Sequence, residues 1–303
     1  MKEYISINLS DLPKDFYISI DSKIIKKIFK KASKNRKIGL PKLAKELNFV
    51  WGSFWRWYNN KRFIKIKNLE RICNYANISV NDLQKYINLI KGDIYCRNGL
   101  KIKLPLVINE EWAYVAELLR TDGHIPKSLK EVEIANNDIG VLNLLKNFLL
   151  SLGIKESSIH EKPWNKGKNI KICNRTFARI MNSIFEIPSG NKCGIICIPT
   201  FIKKSPTSVV GSSIKGALDG DGWTIESTRR VGIQSKSQKY VSDIYSLLKE
   251  RFKLITYLRG PYQGKYTCDM GRKENLKRFQ KLIGFNNEKR NLKLQRVLLS
   301  YKR

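Results

Sequence analysis

Two stretches of this 303-residue chain place an aspartate where it could do chemistry. Asp122 stands near the end of VAELLRTDG and Asp221 near the end of IKGALDGDG, 99 residues further on. Each closes a run of apolar and small residues and is followed at once by glycine. Paired carboxylates are oxygen donors of the kind that hold hard divalent cations. An Asp-Gly pair also ends helices with no chemistry attached, so the residues alone decide nothing. A calcium loop is a third reading of LDGDGWTIE, but Trp223 occupies the fifth place, where such a loop needs an oxygen. What separates the readings is whether the surrounding elements repeat.

They do. Each aspartate follows an apolar helix and precedes strand-like segments, EVEIA in one copy and WTIES with VGIQS in the other. A long amphipathic helix comes next, IGVLNLLKNFLLSLGI against KYVSDIYSLLKERFKL, then NIKICN against YTCDMG. The following helices are RTFARIMNSIF and KENLKRFQKLIGF, and both copies close on a polar turn carrying a lysine, Lys192 and Lys289. A duplicated α/β unit of about one hundred residues is the simplest account. The expected division is 1–92, 93–207 and 208–303, with LKIKLPLVI opening the second region.

The first region reads as a small all-α domain of four or five short helices. Asp21 caps SKIIKKIFKKASKN, Pro41 opens LPKLAKELNF, Asn77 stops KNLERICNYANI, and Ser79 caps a helix through SVNDLQKYINLIKG. From Arg36 to Tyr86 it resembles the repressor-type helix-turn-helix, with LAKEL as the supporting helix and SFWRWYNNKR as the recognition helix. On that resemblance Ser53, Arg56, Trp57, Lys61 and Arg62 face DNA, while Trp51 and Trp55, four apart, share a buried face. A plain helical bundle is the competing reading.

With the repeat in view, VAELLRTDG and IKGALDGDG resemble the two copies of the motif that names the LAGLIDADG homing endonucleases. The likeness extends to DGHI after the first copy, to SLGI, to the SGNK…IP…FI run and to the closing GFNNEKRNLKL, and so covers residues 93–300. It implies an α+β fold. Duplicated αββαββα halves form a pseudo-twofold saddle on DNA, preceded by the helix-turn-helix domain. Small residues such as Ala116, Gly216 and Ala217 let two helices cross closely and bring both C-termini together. The resemblance gives Asp122 and Asp221 metal-ligand roles, with the backbone carbonyls of Thr121 and Gly220 as helpers and two or more Mg²⁺ ions as cofactor. Lys192 and Lys289 match the basic residue held near the scissile phosphate. Groove-reading candidates are Arg229, Arg230, Gln234 and Lys236, with Asn136 at the place that Ser235 takes in the second copy. Glu117 and Lys215 depart from the small or apolar residues usual in the motif. Arg120 and Asp219, of opposite charge, suggest unlike surroundings for the two metals.

Composition agrees with the partner. Lys and Arg number 58 against 26 Asp and Glu, a formal +32, which favours a polyanion whose counterions are released on binding. No run is apolar enough to span a bilayer and no signal layout opens the chain, so an intracellular protein is expected. Six scattered cysteines and two histidines make no zinc set, and buried free thiols are expected instead. The expectation is a monomeric Mg²⁺-dependent endonuclease making a double-strand break in a long asymmetric duplex. It would be freestanding, since Met1 and the SYKR end offer no splicing pair. A non-catalytic regulator on the same scaffold and a maturase binding intron RNA are the alternatives.

Overall fold

The computed structural model describes residues 3–94, 96, 99–164 and 167–301. In the first region the elements are β1 (Ser6–Ile7), β2 (Tyr17–Ile20), α1 (Ser22–Asn35), α2 (Leu40–Glu46), α3 (Trp51–Tyr58), β3 (Ile64–Lys65), α4 (Ile66–Ala76) and β4 (Ile87–Lys91). Asp21 caps α1 as expected, accepting from the amides of Lys23 and Ile24, and Asn77 ends α4 in the left-handed conformation. The region is not all-α. A three-stranded antiparallel sheet, ordered β3-β2-β4, buries Ile18, Ile20, Ile64 and Ile90 against the helices. The helix expected to run through SVNDLQKYINLIKG stops as a 3-10 turn over Val80–Tyr86, and INLIK continues as the strand β4. Ile87 and Ile90 find their apolar partners across a sheet, and that tertiary pairing overrides a short helical period.

The rest of the chain carries the duplication. After β5 (Leu106–Val107) the first half runs α5 (Glu110–Asp122), β6 (Gly123–His124), β7 (Val132–Asn136), α6 (Ile139–Ser151), β8 (Ile159–Trp164), β9 (Gly167–Ile172) and α7 (Arg175–Ser183). A connecting helix, α8 (Thr200–Lys204), leads to the second half: α9 (Thr207–Asp221), β10 (Gly222–Ile225), β11 (Arg230–Ser235), α10 (Gln238–Phe252), β12 (Tyr257–Tyr262), β13 (Lys265–Met270) and α11 (Lys273–Leu282). The chain closes on α12 (Glu288–Ser300). Each half has one antiparallel four-stranded sheet, β6-β7-β9-β8 and β10-β11-β13-β12, of the same order. The chain therefore has a mixed α+β fold with two copies of one αββαββα unit.

The helices α5 and α9 cross at the centre and are buried on nearly every side. Glycine makes the crossing possible. A Cβ on Gly216 would lie 2.3 Å from the Tyr114 carbonyl oxygen, and one on Gly220 2.0 Å from Thr121 Oγ1. The first region is tied to the first half. β1 pairs with β5, and on α7 Arg179 donates to both carboxylate oxygens of Asp15 at 2.7 and 2.8 Å while its guanidinium lies over the Phe16 ring. Among the described residues no helix is long and apolar enough to cross a membrane.

Candidate functional site

Asp122 is the last residue of α5 and Asp221 the last of α9, so the crossing brings the two carboxylates to one spot. A Cβ on Gly220, the residue before Asp221, would sit 3.3 Å from Asp122 Oδ1. Both open into a groove of about 780 Å³, whose lining includes His124, Lys192, Gln234, Lys236 and Lys265. Burial first, and the neighbouring charge of Asp221 second, push the Asp122 carboxyl up from 3.8 to about 6. Asp221 is accessible to solvent, yet it lies on the floor of a concave groove whose walls displace much of its water, and burial raises it too. Two mutually repelling carboxylates at the negative ends of two helices suit a divalent cation. Among the described residues no third acidic, histidine or cysteine side chain joins them. Such an ion would complete its shell with phosphate oxygens and water.

Lys192 reaches the same place from the loop after α7. Its Nζ donates to the carbonyls of Leu119, Arg120 and Thr121 at 3.2, 2.7 and 2.6 Å, capping the end of α5. Burial pulls its ammonium down to about 8, against the pull of Asp221 and Asp122 in the other direction. In the second half the corresponding cation is Arg290, not Lys289. Arg290 donates to the carbonyls of Leu218, Asp219 and Gly220 and so caps α9, whereas Lys289 is exposed on α12. Spacing carried this signal. Lys192 follows Asp122 by 70 residues and Arg290 follows Asp221 by 69, whereas Lys289 follows it by 68. The carbonyls of Thr121 and Gly220, the expected helper ligands, already accept from Lys192 and Arg290.

Several site residues take roles other than those the sequence suggests. Asn136 does not read a groove. It is buried, and its Nδ2 donates to Asp122 Oδ2 at 2.6 Å, while its Oδ1 accepts the Asp138 amide. Glu117, one of the two departures from the motif, is wholly buried, accepting from Arg120 at 3.0 Å and from Tyr240 of the second half at 3.0 Å. Burial raises its carboxyl, and the Arg120 guanidinium opposes that rise.

Arg120 and Asp219 do not flank the metal position either; both turn inward. Arg120 donates to the carbonyls of Phe185 and Glu186, and Asp219 accepts from the amides of Asn286 and Asn287 and from the Tyr114 hydroxyl. The two therefore anchor equivalent loops with opposite polarity, and each loop leads to the cation that caps its helix.

The strand candidates divide. Gln234 and Lys236 line the groove. Arg230 lies on the open sheet face, braced with Arg259 on the buried Asp269. Arg229, at the turn before β11, stacks on the Tyr301 ring instead. In the first region α3 presents Arg56 and Lys61 to solvent, with Ser53 and Arg62 half-buried. Trp57 is a correction: it is 8% exposed and packs edge-on against Phe49, because Phe54 and Trp57 form the inward stripe of α3. Trp51 and Trp55 consequently face outward, with Lys61 Nζ 4.9 Å from the Trp55 ring centre. Of the cysteines, only Cys73 and Cys268 are buried; Cys173 and Cys193 are exposed.

Residues 109–184 and 208–284 match the profile of the LAGLIDADG-like domain, once per half. Among curated proteins, the chain is 31% identical over 211 residues to a probable translation initiation factor IF-2 of Methanocaldococcus jannaschii, across 65% of this chain. It is 24% identical over 226 residues to an elongation factor 2 of Methanopyrus kandleri, across 72% of this chain. The chain spans only 17% of the length of each of these relatives. Among solved structures, a mesophilic variant of the homing endonuclease I-DmoI aligns with a TM-score of 0.45 and 14% identity, covering 58% of this chain and 96% of that one. The full-length DUF199/WhiA protein of Thermatoga maritima aligns at 0.46 and 11%, covering 64% and 61%.

Proposed function

Because the chain belongs to the LAGLIDADG-like domain family, we propose that it is a site-specific DNA endonuclease that cuts both strands of a long asymmetric duplex. The observation that carries this reading is the meeting of Asp122 and Asp221 at the ends of two crossed helices, between two sheets of matching order. In that arrangement Asp122 and Asp221 would hold divalent ions, Mg²⁺ in the cell, which supply charge stabilisation to the attacking and leaving oxygens of phosphodiester hydrolysis. Asn136 fixes the Asp122 carboxylate in one orientation. Lys192 and Arg290 place one cation at each helix end, where a scissile phosphate would add negative charge. The open strand faces, with Gln234, Lys236 and Arg230, lie along the DNA groove. The α2–α3 pair, joined by residues 47–50, adds a second DNA contact through Arg56, Lys61, Ser53 and Arg62.

A second reading, a DNA-binding regulator without cleavage, has one observation in its favour. The carbonyls of Thr121 and Gly220 are taken by Lys192 and Arg290, so the helix ends are neutralised without a metal. Selection of cleaved sites from a random duplex library with Mg²⁺ separates the two. The endonuclease reading requires recovery of a discrete cut sequence, lost in Asp122→Asn and Asp221→Asn. Sequence-specific binding with no nicking in any divalent ion establishes the regulator.

A further inference from the structure

The outer hairpins of the two halves share a feature that their sequences otherwise do not. β8 reads IHEKPW and β12 reads YLRGPY; the two six-residue strands agree only in proline at the fifth place and a large aromatic at the sixth. Trp164 is 44% exposed and Tyr262 73% exposed. A single exposed aromatic is ordinary on a protein surface. The same feature at the same strand position of both halves asks for a reason.

Strand parity supplies one. Trp164 pairs with Gly167, in phase with Lys162 against Asn169, whereas the buried Ile170 and Ile172 alternate with these. Trp164 therefore lies on the open face of its sheet. In the second half, Tyr257 and Arg259 pair with Asp269 and Thr267, and strict alternation would put residue 261 on the open face. The register shifts between Arg259 and Tyr262, and that extra residue pairs Tyr262 with Lys265. Tyr262 then lines a cleft with Arg230, Arg259 and Lys265. The bulge restores by geometry what residue count alone would have lost. Both aromatics end edge strands, the strands farthest from β6 and β10 in their sheets.

We propose that Trp164 and Tyr262 are paired grips on the duplex, one on each side of the catalytic groove: Tyr262 pairs with Lys265 of that groove, and Gly167, the partner of Trp164, abuts Asn136. Each ring lies against deoxyribose and the edges of base pairs, while Lys162, Arg259 and Lys265 neutralise the adjoining phosphates. The proposal rests on the duplex-binding reading above. The probe is the duplex pool that the wild-type protein recovers from a random library. Trp164→Ala and Tyr262→Ala should each weaken binding of that pool by about 5- to 50-fold, on the scale of base–aromatic contacts. Each should alter the footprint on one side of the centre of the bound site only, and the double variant should alter both sides. Trp164→Phe and Tyr262→Phe should stay within about threefold of wild type, and none of the variants should shift Tm by more than about 2 °C, since both rings are exposed. Alanine variants that bind like wild type with an unchanged footprint overturn the proposal and leave the duplex-binding reading standing. A wild-type protein that recovers no duplex sinks both.

Discussion

Replacing Asp122 with asparagine should stabilise the protein while abolishing its chemistry. The Asp122 carboxyl is raised from 3.8 to about 6 by burial and by Asp221. A carboxyl raised in the folded state costs nothing below pH 4, where folded and unfolded chains are both protonated. The cost grows as the pH climbs from about 4 to about 6, because the unfolded chain ionises first, and is complete above that. At pH 7 it amounts to about 2–3 kcal/mol, allowing for a carboxylate that is partly exposed. Asparagine removes the charge and keeps an oxygen for Asn136 to donate to. In metal-free buffer Asp122→Asn should therefore melt roughly 3–5 °C above wild type at pH 7, given the unfolding entropy of a chain this long. The difference should vanish near pH 4. Mg²⁺ should raise the wild-type Tm and narrow the gap, since a cation relieves the same repulsion. Differential scanning calorimetry at the two pH values, with and without Mg²⁺, measures all of this. A variant that melts at or below the wild-type temperature at pH 7 refutes the claim that burial and the neighbouring Asp221 disfavour an ionised Asp122 in the folded protein.

The remaining expectations follow from single contacts. Arg290→Ala should cost about 2–3 kcal/mol in urea unfolding, because three carbonyls at the end of α9 lose a charged donor, and should slow cutting; Lys289→Ala should leave both unchanged. Gly220→Ala should abolish cleavage in a plasmid-nicking assay, since its Cβ would meet Thr121 Oγ1 at 2.0 Å and drive the helix ends apart. Trp57→Ala should destabilise by about 3–5 kcal/mol, as expected for a buried aromatic. Arg56→Ala should leave Tm in place and weaken DNA binding in a mobility shift; a reversal of this contrast would mean that the faces of α3 are misassigned.

The repeat and the aspartate pair were legible because each was written twice. Helix, Asp-Gly and strands recur at nearly constant spacing, and the structure pairs those elements in the same order in both halves. What was not legible depended on tertiary contact. INLIK reads as part of a helix until β2 lies beside it. The α3 tryptophans show two candidate stripes three or four residues apart, and only the positions of Phe29 and Phe49 choose Phe54 and Trp57 as the inner one. Asn136 resembles any polar strand residue, because nothing in a sequence says that Asp122 lies 2.6 Å from its amide.

The pair Arg120 and Asp219 shows why a residue-by-residue comparison of the two halves misleads at this site. Opposite charges at equivalent positions suggested two unlike metal environments. Each side chain instead faces the loop that follows the third helix of its own half, and that loop offers carbonyls in one half and amides in the other. A guanidinium suits the first and a carboxylate the second, so the charge must invert for the anchor to be kept. The anchored loop positions Lys192 in one half and Arg290 in the other, and each caps the helix that ends in its aspartate. The two halves have therefore kept a geometry, a cation above each helix end, while exchanging the residues that hold it. The real asymmetry lies elsewhere: Asn136 restrains Asp122, whereas Asp221 is accessible to solvent with Lys265 nearby. Unequal cutting of the two strands would arise from that difference and not from Arg120 and Asp219.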